Sequence, residues 1–434
     1  MAILIIIASI ALLILLISVL KTNTFVAFVV VAILAGITLG IPITQIPSSL
    51  QKGIGDMLGS LMIILIFGAM IGKLVAVSGA AQQISKSILS VFGEKHITWA
   101  MMLTGFIVGI PLFYNVGFVL LVPLIFSIVY QLKLPAVYVG IPMLAALSVT
   151  HGLLPPHPSP AALVSQLHAD MGKTLIYGCI IAVPTIILAG PVFAGTLKKI
   201  NTPPLQTFTP QVLAENQLPS FLNSIIACLL PVFILLSTTI IELNGITLPP
   251  VFKFIADPGI IMVVSLIYAT FSLGILRGLP IGFIMEQYTE AIKDILLIIM
   301  VVAGAGALKQ IFIESGISTN LAASMNQWKL PPLLLGWLIA AVIRVAMGSA
   351  TVAGLTTAGI VAPLVVSTNT DPNLMVLAVG SGSLMFSHIN DSGFWMFKEY
   401  FNLSMKDTFK SWSLMETIVS LMGLIGVLTI NQFI

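Results

Sequence analysis

Long apolar stretches, broken at four places by Pro, Gly and polar residues, constrain this chain more than any other feature. A helix needs about 20 mostly apolar residues to cross a hydrocarbon layer of roughly 30 Å, and such windows recur from end to end. Continuous spans are predicted at about 2–20, 24–41, 57–77, 172–196, 221–241, 256–276, 291–313 and 411–433. With 8% of residues charged and 58% hydrophobic, a water-soluble domain would lack the polar surface to cover itself. The run from Ala2 to Leu20 has no basic segment before it and no small-residue cleavage site after it. It therefore reads as a first span rather than a removed signal peptide.

Four further apolar segments are interrupted midway: 97–132, 135–167, 331–367 and 373–397. The first carries GIPLFYNVG at its centre, where Pro111, Asn115 and Gly117 oppose a continuous helix, and it is tight for two spans with a solvated turn between them. A re-entrant helical hairpin is expected there. The segment 331–367 repeats the plan around Gly348, Ser349, Ala350 and Thr351. The other two start as ordinary helices and break at THGLLPPHPSP (Thr150 to Pro160) and SHINDSG (Ser387 to Gly393), as discontinuous spans would.

The expected fold is thus an all-α polytopic membrane protein with an inverted-topology repeat. Each half holds five spans and one re-entrant hairpin: residues 1–197, a cytoplasmic linker at 198–219, and residues 220–434. An odd number of crossings per half inverts the second half. Local matches agree, pairing Ser78-Gly79 with Ser315-Gly316, Pro123 with Pro363, Gly140 with Gly380 and His151 with Asp391. With both termini outside, the cytoplasmic turns carry Lys21, Lys86, Lys95, Lys133, Lys198, Lys199, Arg277, Lys398, Lys406 and Lys410. The other side carries Lys52, Lys173, Lys253 and Lys329, a positive-inside bias.

Non-helical backbone at membrane depth survives only where protein or a water-filled cavity satisfies its polar groups. Four interruptions, two per half, imply one shared cavity at the midplane. Half-helix N-termini exposed there favour an anion. The candidate binding residues are Asn115 and Gly117 on the first hairpin, His151 and His157 around LLPP, Ser349 and Thr351 on the second hairpin, and His388, Asn390 and Asp391 on the last break. An ionisable group inside the membrane marks a substrate or proton pathway. Asp391 is accordingly the first candidate to carry a coupling proton, and His151 the second. Arg344, in the descending arm of the second hairpin, is suited to a carboxylate but equally to snorkelling or to an acidic partner. Asp56, Lys73, Asp294 and Lys309 fall near predicted span ends, as interfacial anchors do.

Other chemistries lack their signatures. The basic residues are scattered singly, unlike a nucleic-acid footprint. Cys179 and Cys228 lie in apolar runs without metal-ligand spacing, so neither a disulfide framework nor a metal site is expected. There is no Walker-type phosphate loop, metalloprotease helix or nucleophile elbow, so no cofactor and no enzymatic activity are expected, and an ion gradient remains as the energy source. A passive channel suits matched hairpins in inverted repeats less well than alternating access does.

At these same stretches the chain resembles the gluconate permease family of bacterial gluconate:proton symporters. The strings are GIPLFYNVGFVLLVPL (109–124), HGLLPPHPSP (151–160), GSATVAGLTTAGIVAP (348–363), SHINDSGFWMFKEYFNLS (387–404) and WSLMETI (412–418), in family order along nearly the whole chain. The resemblance implies import of gluconate or another hydroxylated monocarboxylate with protons across the bacterial cytoplasmic membrane. Another small hydroxy or amino acid, such as glycerate, hydroxybutyrate or D-serine, is the alternative cargo. It further implies a homodimer in lipid whose transport domain moves as an elevator. One departure is Asn115, where family members often carry an acidic residue.

Overall fold

The computed structural model describes residues 2–112, 114–200, 213–244, 246, 249–315, 330–389 and 391–434. Among the described residues no strand occurs, and eight helices are long and apolar enough to cross a membrane.

The chain opens with α1 (Ala2–Ile14), prolonged by a π-helical turn at Leu15–Val19, and α2 (Thr24–Thr38). Asn23 starts α2 by accepting from the backbone N–H groups of Phe25 and Val26 at 3.0 and 3.4 Å, as an N-cap does. Next comes α3 (Ile46–Val77), with Pro47 in its first turn where the missing N–H costs nothing. A short helix not anticipated from apolar windows, α4 (Ala80–Phe92), buries Ala80, Ala81, Ile84 and Ile88 along one face and presents Gln82, Gln83 and Lys86 elsewhere.

Four helices follow in two interrupted pairs: α5 (Ile97–Gly109) with α6 (Tyr114–Leu132), and α7 (Ala136–Leu153) with α8 (Pro158–Leu167). The first part of the chain closes with α9 (Met171–Ile187), extended through a π turn to Thr196. The remainder runs α10 (Phe221–Leu243), α11 (Pro250–Ala256), α12 (Pro258–Ala269) and α13 (Ile281–Glu314). Two more interrupted pairs then appear, α14 (Pro332–Met347) with α15 (Ala350–Ser367) and α16 (Pro372–Gly382) with α17 (Ser392–Tyr400). The last helix is α18 (Leu414–Ile430), entered through a π turn at Phe409–Ser413.

The long helices α3 and α13 begin at Ile46 and Ile281, well before the spans expected from residues 57 and 291. Lys52, like Glu286, Glu290 and Lys293, ends an apolar window but does not end a helix, since Lys and Glu are good helix formers. At 1.5 Å per residue the two helices reach about 48 and 51 Å, beyond a roughly 30 Å hydrocarbon core. They pack on each other more extensively than any other pair of helices. The crossing is set by glycine: a Cβ on Gly53 would strike the carbonyl oxygen of Gly306, and one on Gly306 would strike that of Gly53. Close backbone approach of this kind is how apolar helices associate where lipid removes the hydrophobic drive.

Around this pair, α2 lies on α13 and α12 on α3. The interrupted helices form a second group in which α5 packs on α7, α14 and α15 on α16, α8 on α15 and α16, and α18 on α9 and α16. Lys73 of α3 and Asp294 of α13 form an ion pair at 3.1 Å. Lys309, near a predicted span end, is buried on α13.

Candidate functional site

Each interruption has a local cause. Pro155 and Pro156, joined by a cis peptide, remove two backbone donors after α7. Pro158 then sits in the first turn of α8, where proline is tolerated. Between α14 and α15, Gly348 takes φ +75°, a left-handed conformation open to glycine, and ends α14. Ser349 begins α15 by accepting from the N–H of Val352 at 3.4 Å. Between α16 and α17, Asp391 accepts from the N–H of Gly393 at 2.9 Å and caps the short helix.

The two broken helices meet at their breaks. A Cβ on Gly380 of α16 would strike the carbonyl oxygen of Gly152 in the last turn of α7, so the pair can cross there only with glycine. The last break is also tied to the entry of α18. Ser387 donates its hydroxyl to Asp391 and accepts from Trp412 Nε1 at 2.8 Å, while its carbonyl accepts from Ser413 Oγ at 2.5 Å.

These breaks enclose a cavity of about 380 Å³, within the range of small-molecule sites. On one side it is lined by α13 from Asp294 to Val301 and on the other by the interrupted helices. Tyr114 at the start of α6, Ser349, Ala350 and Thr351 at the start of α15, and Ser392 and Gly393 at the start of α17 all face it. Three helix N-termini therefore open onto one space, each contributing partial positive charge.

Arg344 adds a full charge. It is buried on α14, and its Nη2 donates to Asp391 Oδ2. Its Nε and Nη1 are buried without a hydrogen-bond partner. Tyr114 Oη, His151 Nδ1 and Glu416 Oε2 are likewise buried and unpartnered, and all four residues line this cavity. Buried polar atoms normally find partners, so this convergence makes the cavity a candidate binding site. The donors suit a carboxylate, and the mixed hydroxyl, carboxylate and imidazole groups suit a chain of alcohols.

Of the residues singled out from sequence, the structure brings His151, Ser349, Thr351 and Asp391 to the cavity. His157 lies beside His151, with ring centroids 4.6 Å apart, but it lines a separate small cavity next to α3 and donates from Nε2 to the Leu112 carbonyl at 3.1 Å. His388 points away, donating from Nε2 to the Val345 carbonyl in the last turn of α14 at 2.8 Å. Both imidazoles thus satisfy carbonyls released where helices end. Gly117 is buried against Leu147, where a Cβ would come within 3.1 Å of that side chain. The Asn115 side chain and the whole of Asn390 lie outside the described residues.

Tyr114, Ser148, Trp412 and Glu416 also line the cavity and were not singled out, and Asp294, expected only as an interfacial anchor, lines it too. A signal was present for Glu416: it is the lone acidic residue of an otherwise apolar last span. For Ser148 and Tyr114 no such signal exists, since similar residues occur in many spans. Among the described residues no group of His, Cys, Asp and Glu is arranged to hold a metal ion.

Comparison with known proteins places this architecture in context. The family model described as GntP family permease matches residues 1–434. A high-affinity gluconate transporter of Escherichia coli (strain K12) is 46% identical over 95% of this chain and 95% of its own. The Gnt-II system L-idonate transporter of the same organism is 45% identical over 99% of each. Among solved structures, the YdaH transporter of Alcanivorax borkumensis superposes with a TM-score of 0.69 at 15% identity, covering 94% of this chain and 98% of that one.

Proposed function

Because the chain belongs to the GntP permease family, we propose that it imports gluconate, or a closely related hydroxylated monocarboxylate, by proton symport. It is a multi-pass transporter of the bacterial inner membrane and not an enzyme. The observation that carries the reading is Arg344, which lines a cavity onto which the N-termini of α6, α15 and α17 open and whose Nε and Nη1 are buried without a hydrogen-bond partner. A substrate carboxylate takes those nitrogens. Its hydroxyls then meet Tyr114, Ser349, Thr351 and Glu416, which supply both donors and acceptors. The names of the gluconate and L-idonate transporters among its relatives support an aldonate over a smaller acid.

Coupling requires a group that gains and loses a proton within the same space; besides Tyr114, the side chains there able to do so are His151, Asp391, Glu416 and Asp294, the last ion-paired with Lys73. The order of elements supports two inverted repeats, since a long helix, an interrupted hairpin, a broken helix and a closing span with a π turn follow in that order before the linker and again after it. The cavity lies between the α3–α13 pair and the group of interrupted helices. That placement supports an elevator in which α5–α9 and α14–α18 travel as a body, in each protomer of a homodimer, with the hairpins re-entering the membrane.

The test is uptake of labelled gluconate by proteoliposomes under an imposed pH gradient, inside alkaline, with unlabelled L-idonate, glycerate, hydroxybutyrate and D-serine as competitors. Concentrative uptake abolished by collapsing the gradient, and competed best by aldonates, is the expected result. Uptake indifferent to the gradient removes the coupling, and stronger competition by D-serine or glycerate removes the aldonate.

A further inference from the structure

Resting on the symport reading, we infer that Glu416 is the proton-carrying group of the cavity and that Asp391 is a fixed partner of Arg344. Three carboxylates line the cavity and differ in what holds them: Asp294 is ion-paired with Lys73 at 3.1 Å. Asp391 accepts from the Arg344 guanidinium, from the Ser387 hydroxyl and from the N–H of Gly393. Three donors on one carboxylate, one of them a cation, suit the ionised form, which is acceptor-only. Protonating Asp391 would break the ion pair that Arg344 makes, a costly step to repeat in every cycle.

Glu416 is built otherwise. It is 2% exposed, on an apolar helix. Oε1 accepts from Ser148 Oγ, and Oε2 is buried with no hydrogen-bond partner, on a residue that lines the cavity. Among the described residues no cation pairs with it, the Arg344 guanidinium being engaged by Asp391. The polar and titratable groups that line the cavity with it include Ser148 and His151 on α7, Tyr114 on α6, Arg344 on α14, Asp391 before α17, Trp412 one turn before it and Asp294 on α13. Further along α18, the packed helices bring apolar or hydroxyl groups: Ile181 of α9 against Gly426, Ser381 of α16 against Gly423, and Trp337 of α14 against Ser420. Glu416 can therefore take up and release a proton without dismantling an ion pair.

This placement couples proton to substrate. An ionised Oε2 repels an anion entering toward Arg344. A protonated Oε2 removes that repulsion and supplies an O–H donor to a substrate oxygen. The proton arrives from the outer aqueous side, remains on Oε2 while substrate is bound, and returns to water on the inner side once substrate has left. No covalent bond in the substrate changes.

Glu416→Gln tests the assignment, since the amide keeps an acceptor for Ser148 and presents a permanent donor to the cavity. In the wild type, affinity for gluconate falls with rising pH, by at most about tenfold per pH unit for one linked proton. In Glu416→Gln that dependence is lost, gluconate–gluconate exchange across the membrane persists, and accumulation driven by a pH gradient disappears. A Glu416→Gln protein that still concentrates gluconate on a pH gradient overturns the inference, as does Asp391→Asn giving the exchange-only phenotype in its place. Wild-type protein that ignores the gradient sinks the symport reading instead, so the two failures are distinct. Should Glu416→Gln fail to fold, Ser148→Ala serves: removing the hydroxyl that holds Oε1 displaces the pH midpoint of gluconate binding, and an unmoved midpoint in a folded Ser148→Ala protein overturns the assignment.

Discussion

Replacing Arg344 by Lys separates the two duties the guanidinium performs. One nitrogen holds Asp391, and two others, Nε and Nη1, are buried without partners at the cavity. A hydrogen bond to a charged group contributes about 1.5–3 kcal/mol. A lysine ammonium is a point charge on a flexible stem, able to keep Asp391 paired but not to present a planar fork to a carboxylate as well. Losing one of the two substrate bonds therefore costs about 1.5–3 kcal/mol, or roughly 10- to 150-fold in affinity. Removing the charge altogether, as in Arg344→Met, would instead strand a buried carboxylate at a cost of about 3–5 kcal/mol and confound binding with folding. The assay is equilibrium binding of labelled gluconate to purified Arg344→Lys in detergent, with the KM for uptake in proteoliposomes and the melting temperature alongside. An affinity equal to wild type, in a protein whose melting temperature is also unchanged, would refute direct contact between the guanidinium and the substrate.

Three further outcomes are expected. Gly306→Val places a branched side chain against the Gly53 carbonyl and Met57 Cβ, the latter 2.9 Å from the added Cβ; overpacking of this kind costs about 1–3 kcal/mol and lowers the melting temperature, and an unchanged value would show that the α3–α13 crossing yields easily. His157→Ala leaves the buried Leu112 carbonyl without the imidazole donor, destabilising by about 1–3 kcal/mol. Because His157 lines a different cavity, the KM for gluconate holds near wild type, and a large rise in KM would restore it to the binding site. In a background lacking Cys179 and Cys228, a thiol at Lys133 labels from the cytoplasmic side and one at Thr370 from the opposite side; the reverse pattern rejects re-entrant hairpins.

The positions of His151 and Asp391 illustrate what a local reading can reach. Both lie on breaks that Pro155, Pro156 and the SHINDSG stretch impose through their own backbone chemistry, and both face the cavity. His157 and His388 sit on the same breaks, yet each turns to a carbonyl at a helix end, of Leu112 and Val345 respectively. Residues a few positions apart on irregular backbone point in different directions, and spacing along the chain does not say which direction faces the substrate. The helix starts at Ile46 and Ile281 escaped notice for a related reason: hydropathy locates the lipid-matched part of a helix, whereas its ends depend on backbone breakers and caps.

From the sequence alone came the spans, the four interruptions, the helical class and the family resemblance, because apolar length and Pro/Gly breaks act over a few neighbouring residues. Tertiary structure alone decided that Arg344 pairs with Asp391, and that Ser148 of α7 and Glu416 of α18 join across 268 residues of chain. Those partners meet only through the rotation and crossing of packed helices, set by contacts such as Gly380 against Gly152, and no periodicity within a single helix encodes which of its faces will find another.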